Sequence, residues 1–124
     1  MGFYDWDKIK PEELTRLSRS RIARSENVML AEVEVRRGTS TPWHSHENEE
    51  LVIVLKGAWR FYLPSGELTL EANQMLSIPA GVEHSSEVLE DTLALNICTP
   101  TKVARRNDEQ QTFEHDPDQS LWAV

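Results

Sequence analysis

Residues 38–57 run Gly38-Thr39-Ser40-Thr41-Pro42-Trp43-His44-Ser45-His46-Glu47-Asn48-Glu49-Glu50-Leu51-Val52-Ile53-Val54-Leu55-Lys56-Gly57. The second half decides the fold class. Leu51 to Leu55 is apolar at every position, is stopped by Gly57, and has the length of a strand buried on both faces. The first half decides where chemistry could lie. His44 and His46 are two positions apart, so an extended backbone projects both imidazoles from one face. Glu50 follows at the same parity, where the apolar run begins.

On either side of this stretch the signals are again those of short strands. Val28 to Val35 alternates Ala31, Val33 and Val35 with Glu32 and Glu34, and Arg36-Arg37-Gly38 ends it. Glu50 to Lys56 forms the next strand, and Trp59, Phe61 and Leu63 alternate in another before Pro64-Ser65-Gly66. Leu68 and Leu70, then Met75 to Ile78, then Val82 to Leu89 and Thr92 to Thr99 complete the set, with Pro79-Ala80-Gly81 as a tight turn. No helical stretch separates the strands, which excludes a parallel α/β sheet. The fold class is all-β, an antiparallel sandwich or barrel. Residues 1–14 read as an N-terminal arm in which Pro11-Glu12-Glu13 suits a short helical turn. Residues 15–100 form the barrel and 101–124 a C-terminal tail. The apolar end of that tail, Leu121-Trp122-Ala123-Val124, either docks on a partner subunit or stays disordered.

The chain of 124 residues fits one domain, and its 39% apolar and 27% charged residues are ordinary for a globular protein. A net charge of -8 argues against nucleic acid as a partner, and no apolar run is long enough to span a membrane. The start MGFYDWDKIKPEEL has acids where a signal peptide needs bases and apolar residues, so the expected location is cytoplasmic. Cys98 is the only cysteine, which removes an intrachain disulfide and a thiolate metal cluster. Between Arg16 and Arg37, six arginines stand against three glutamates. This stretch is read as a solvated strand face, with an attraction for an anionic small molecule as the alternative.

His84 arrives just after Pro79-Ala80-Gly81. One histidine on a strand is ordinarily a packing residue. Two in phase, an acid in phase and a third after a tight turn form a set suited to a borderline divalent metal. His44, His46, Glu50 and His84 are therefore the expected ligands of one divalent transition metal per chain, with Fe, Mn, Ni, Zn and Cu all compatible. Glu47 and Glu49 crowd the same loop, and parity favours Glu50 over both.

The segment Gly38 to Glu50 with Gly57, followed by Asn73-Gln74-Met75-Leu76-Ser77-Ile78-Pro79-Ala80-Gly81-Val82-Glu83-His84, resembles the two signatures of the cupin superfamily. The resemblance implies a double-stranded β-helix, or jelly-roll, barrel, usually dimeric, holding one metal on the two paired histidines, the glutamate and the late histidine. Asn73 replaces a glycine, which Asn can do because it tolerates left-handed backbone. Val88 replaces a frequent asparagine. A weaker resemblance connects residues 27–35 and 95–100 to small pectin-degradation cupins that linearise unsaturated uronates. In that group an aspartate stands at Asn96, an aromatic at Cys98, an arginine at Lys102 and a glutamine at Glu50.

Asn96 and Lys102 are the candidate catalytic residues. Asn96 cannot serve as a general base, because an amide does not titrate in the working range, but it can donate and accept hydrogen bonds. Lys102 could meet a carboxylate as a point charge. Trp43, at opposite parity to His44, is expected in rim packing; Trp59 and Phe61 should fill the core; Cys98 should be a small buried apolar residue; His115 should be exposed. The both-sided apolar run Leu51 to Leu55 calls for a second cover, which predicts a homodimer. Three functions are compatible: a metal-dependent enzyme on a small polar substrate, a sugar acid or an enolisable carbonyl compound, working by Lewis-acid polarisation; a dioxygenase using a redox metal; and a non-catalytic binder of a metal or small ligand.

Overall fold

In the computed structural model, residues 2–99 are described. They form eight strands: β1 (Glu12–Thr15), β2 (Ser18–Arg24), β3 (Met29–Val35), β4 (Ser40–His44), β5 (Glu49–Leu63), β6 (Gly66–Glu71), β7 (Met75–Ile78) and β8 (His84–Thr99). All pairings are antiparallel. The all-β jelly-roll expectation holds. Two pairs of expected strands turn out to be continuous, however, and this continuity builds the barrel.

β5 and β8 pair along almost their whole length, from Glu49–Thr99 to Tyr62–Ser85. The early part of β5 also pairs with β7, and its later part with β6. The late part of β8 pairs with β3 and its early part with β4. Each long strand therefore serves two layers. One layer runs β1-β2-β3-β8-β5-β7 and the other β4-β8-β5-β6. The layers meet at a corner where the β5 ladder slips between Val54 and Trp59.

Gly57 makes that corner. It sits at φ +109°, and a Cβ there would lie 2.4 Å from the Asp91 carbonyl oxygen and 2.8 Å from Thr92 Cα. Only glycine allows the two strands to approach so closely with this backbone. The bulge also changes parity. Glu50, Val52 and Val54 face inward before it, whereas Trp59 and Phe61 face inward after it. Two half-strands of opposite phase can thus line one core, in which Trp59 and Phe61 are 1% and 0% exposed.

Further differences concern the less apolar segments. The short helical turn lies at Trp6–Lys8, capped by the Asp5 carboxylate accepting from Asp7 N–H, rather than at Pro11. Glu12 and Glu13 are instead extended and paired with Ser20 and Arg19. Pairing to a neighbouring strand supplies backbone hydrogen bonds that an isolated first turn lacks. β2, rich in serine and arginine, joins the sheet through cross-strand ion pairs, Arg19 with Glu34 and Arg21 with Glu32. Asn73 does adopt the left-handed conformation, with φ 70°. Val88 is buried and clamps the start of β4 through backbone bonds with Gly38 and Thr39.

Candidate metal centre

His44 ends β4 and His84 begins β8, and the two are register partners. His46 lies in the connection to β5, where Glu50 is the first inward-facing residue. The ring centroids are 4.4 Å apart for His44 and His84, 5.0 Å for His46 and His84, and 5.4 Å for His44 and His46. One ligand atom from each histidine lies within 4.8 Å of the others, a group that could hold a metal ion. An oxygen of Glu50, a fully buried carboxylate, touches His46 Nε2. Glu47 and Glu49 are exposed. The three histidines come together, and Glu50 touches one of them.

The hydrogen bonds around the rings set their tautomers. His44 Nδ1 donates to the Pro42 carbonyl at 2.8 Å and His84 Nδ1 to the Val82 carbonyl at 2.9 Å. His46 Nδ1 approaches the Asn48 carbonyl at 3.4 Å. A carbonyl can only accept, so the proton sits on Nδ1 and the Nε2 lone pair is left outward. The local device is the same at both strand ends, a carbonyl two residues before the imidazole. Hydrophobic periodicity carries no signal for such carbonyls, and for that reason the sequence reading does not find them.

The outcome is a cluster of acceptors. Among the described residues, His46 Nε2, His84 Nε2 and both Glu50 carboxylate oxygens are buried without a hydrogen-bond partner. A buried carboxylate and imidazole lone pairs facing one another repel unless a cation lies between them. Burial pushes the His84 imidazole down from 6.5 to about 4, with His44 and His46 adding to the fall against the opposing Val82 hydrogen bond. The ring is thus held neutral, as metal ligation requires. The donor set fits a divalent transition ion.

Asn96 is fully buried on the inward face of β8, one inward position from Cys98, the register partner of Glu50. The Cys98 thiol lies 3.9 Å from Asn96 Oδ1 and is itself buried, a packing residue. Trp43 is 54% exposed at the rim. Lys102, His115 and the apolar tail Leu121–Val124 lie outside the described residues. A hydroxyl pair absent from the sequence reading, Thr41 with Ser86 at 2.8 Å, links β4 to β8 near the paired histidines. Small polar residues of this kind have no spacing signature.

A family model described as "Cupin domain" matches residues 31–98. No curated protein matches the chain. Among solved structures, KdgF from Halomonas sp. is 24% identical with a TM-score of 0.74, covering 86% of this chain and 98% of that one. An RmlC-like cupin from Shewanella frigidimarina NCIMB 400 is 15% identical with a TM-score of 0.75, covering 87% and 95%. The Mn(II)-containing oxalate decarboxylase of Bacillus subtilis is 16% identical with a TM-score of 0.68, covering 78% of this chain and 29% of that one. At these identities the likeness is one of fold.

Proposed function

The chain belongs to the cupin domain family, and on that premise we propose that it is a metal-dependent enzyme acting on a small polar substrate, a sugar acid or an enolisable carbonyl compound. The observation that carries this reading is the set of buried acceptors without a donor among the described residues, His46 Nε2, His84 Nε2 and the Glu50 oxygens. His44, His46, Glu50 and His84 would hold one divalent ion. Such an ion, when bound, supplies Lewis-acid polarisation of a substrate oxygen. Four protein ligands would leave a position free for substrate on an ion that accepts more than four, which would distinguish a working centre from a closed structural one.

The remaining work falls to the chain. Carbonyls of Pro42 and Val82 fix the directions of the His44 and His84 rings, so the lone pairs are aimed before any ligand arrives. The Glu50 side of the centre is walled by apolar core: Ile78, the register partner of Glu50, and Val52, the next inward residue of β5, are both fully buried. Asn96 would hold a substrate hydroxyl or carbonyl through its amide, and Lys102 would meet a substrate carboxylate. The likeness to KdgF, together with the sequence resemblance to pectin-degradation cupins, makes an unsaturated uronate the first substrate to try.

The outward side of the β5–β7 layer supports a homodimer. Leu51, Leu55 and Met75 are 37%, 36% and 56% exposed on one apolar face, and a second copy would cover it.

Purified protein should carry close to one equivalent of a transition metal by elemental analysis. Metal-loaded protein should consume an unsaturated uronate or a related sugar acid, read as loss of its ultraviolet absorbance. Metal binding with no turnover across a panel of sugar acids and enolisable carbonyl compounds would overturn the enzymatic reading in favour of a binder. Oxygen uptake with a diketone would favour a dioxygenase.

A further inference from the structure

A groove of about 450 Å³ opens beside the Gly57 corner, between the β1–β2 turn, the end of β3 and the bulged part of β5. It is remote from the histidines. Glu50, at the metal end of β5, and Lys56, at the groove, are separated by about 20 Å of extended chain. From this groove we infer a second binding site, for a small multivalent anion bearing carboxylate or phosphate groups.

Four cations line it. Arg19 is paired with Glu34, and the other three come from three different elements: Arg16 in the β1–β2 turn, Arg36 just after β3, and Lys56 in the β5 bulge. None of these three makes an ion pair or side-chain hydrogen bond among the described residues. Of the three acids lining the groove, Glu13 faces the field of Arg19 and the other two are engaged. Glu34 is paired with Arg19, and an Asp91 carboxylate oxygen accepts the Arg37 backbone N–H at 2.9 Å. Among the described residues, Arg16, Arg36 and Lys56 are thus left without a paired side chain, unlike Arg19 and Arg21, which tie β2 to β3.

The backbone under these cations is held in place. The Thr15 hydroxyl accepts the Leu17 N–H at 3.0 Å and bonds the Ser18 hydroxyl at 3.0 Å, which sets the turn carrying Arg16. The Leu17 carbonyl accepts the Arg36 N–H at 2.9 Å, so the Arg16 and Arg36 backbones are fixed close together. Lys56 is fixed by the bulge. Guanidinium groups recognise carboxylate and phosphate through paired N–H donors, and a lysine adds a point charge. Ligand size is limited from two sides. The volume suits a small metabolite, whereas the net charge of -8 and the rim acids Glu13, Glu34 and Asp91 disfavour a long polyanion.

The test is calorimetric titration of the metal-loaded full chain with citrate and, separately, with pyrophosphate at low salt. One saturable site per chain is expected for at least one probe, and the tighter probe identifies the headgroup. Arg16→Gln and Arg36→Gln should each weaken binding about tenfold, the loss of one charge-assisted contact. Lys56→Gln serves as the third variant should either arginine change impair folding. Lys10→Gln, exposed and outside the groove, should leave affinity unchanged. Because both probes can also ligate a metal, His84→Gln is titrated in parallel and should bind as the parent does. Absence of saturable binding by either probe, equal weakening by Lys10→Gln, or loss in His84→Gln with retention in Arg36→Gln would overturn the inference. The last outcome would place the anion on the metal, leaving the functional reading above untouched.

Discussion

His44 and His84 stand opposite each other across β4 and β8, with ring centroids 4.4 Å apart and each Nδ1 tied to the carbonyl two residues earlier. Their pairing brings a histidine from the end of one strand against a histidine at the start of another. With His46 and Glu50 supplied from the β4–β5 connection and the start of β5, two separate stretches of chain, 44–50 and the start of β8, come together. The rings are preset, and the centre consists of acceptors.

Replacing Glu50 with alanine should abolish tight metal binding, a loss larger than the roughly 10–100-fold typical of outer-shell changes. Glu49→Ala should bind metal as the parent does, since Glu49 is exposed. Metal-free Glu50→Ala should be no less stable than the metal-free parent, because the change removes a buried carboxylate that faces imidazole acceptors and has no hydrogen-bond donor among the described residues. Thermal melts with and without added zinc check both halves. Weaker binding in Glu49→Ala than in Glu50→Ala would reassign the acid ligand.

The metal-free protein should lose stability as pH falls from 6.5 toward 4. Above 6.5 His84 is neutral folded and unfolded alike. Between 6.5 and about 4 the unfolded imidazole takes a proton that the folded one refuses, so acidification favours unfolding. Below about 4 the contribution of this group levels off. Denaturant melts of the parent and of His84→Gln across this range should show a shallower dependence in the variant. Parallel curves would contradict the account.

Gly57→Ala should be severely destabilising, by about 3 kcal/mol or more, combining strained backbone with overpacking against Asp91 and Thr92. Gly38→Ala also occupies positive φ, at 93°, but meets nothing within 4 Å. Its cost should stay near 1 kcal/mol, since backbone strain acts alone. Melting temperatures of the two variants should differ by roughly 10 °C at this domain size. Equal melting temperatures would mean that the close approach at the corner is not a constraint.

The exposed apolar face predicts a dimer at micromolar concentration, which light scattering reads directly. Met75→Asp, placed on the most exposed apolar residue of that face, should give a folded monomer with unchanged metal content. A monomeric parent would remove the homodimer from the proposal.

The shared strand parity expected of His44, His46 and Glu50 is not what joins them, because β4 ends at His44 and the chain bends at Glu47 and Asn48 before β5. The inward Glu50, the left-handed Asn73 and the inward Trp59 and Phe61 were legible from sequence. Each depends on alternation along one strand or on the conformational preference of one residue, and both are local properties. β1 and β2 were not legible in the same way. Glu12, Glu13 and the Ser-Arg alternation of β2 have no apolar period, and those residues are extended because neighbouring strands supply backbone partners and Glu32 and Glu34 meet the arginines.

The amino-acid order by itself determined an all-β chain and a set of ligand types. Tertiary structure alone decided that β5 and β8 continue through the corner and serve two layers, which places His84 against His44 and Glu50 against His46. The reason is that such convergence depends on contacts between distant segments, namely the close approach of Gly57 to Asp91 and the pairing of β4 with β8. No local preference encodes how far apart two strands will lie once folded. The same holds for the Pro42 and Val82 carbonyls, whose importance comes from the ring each one aims.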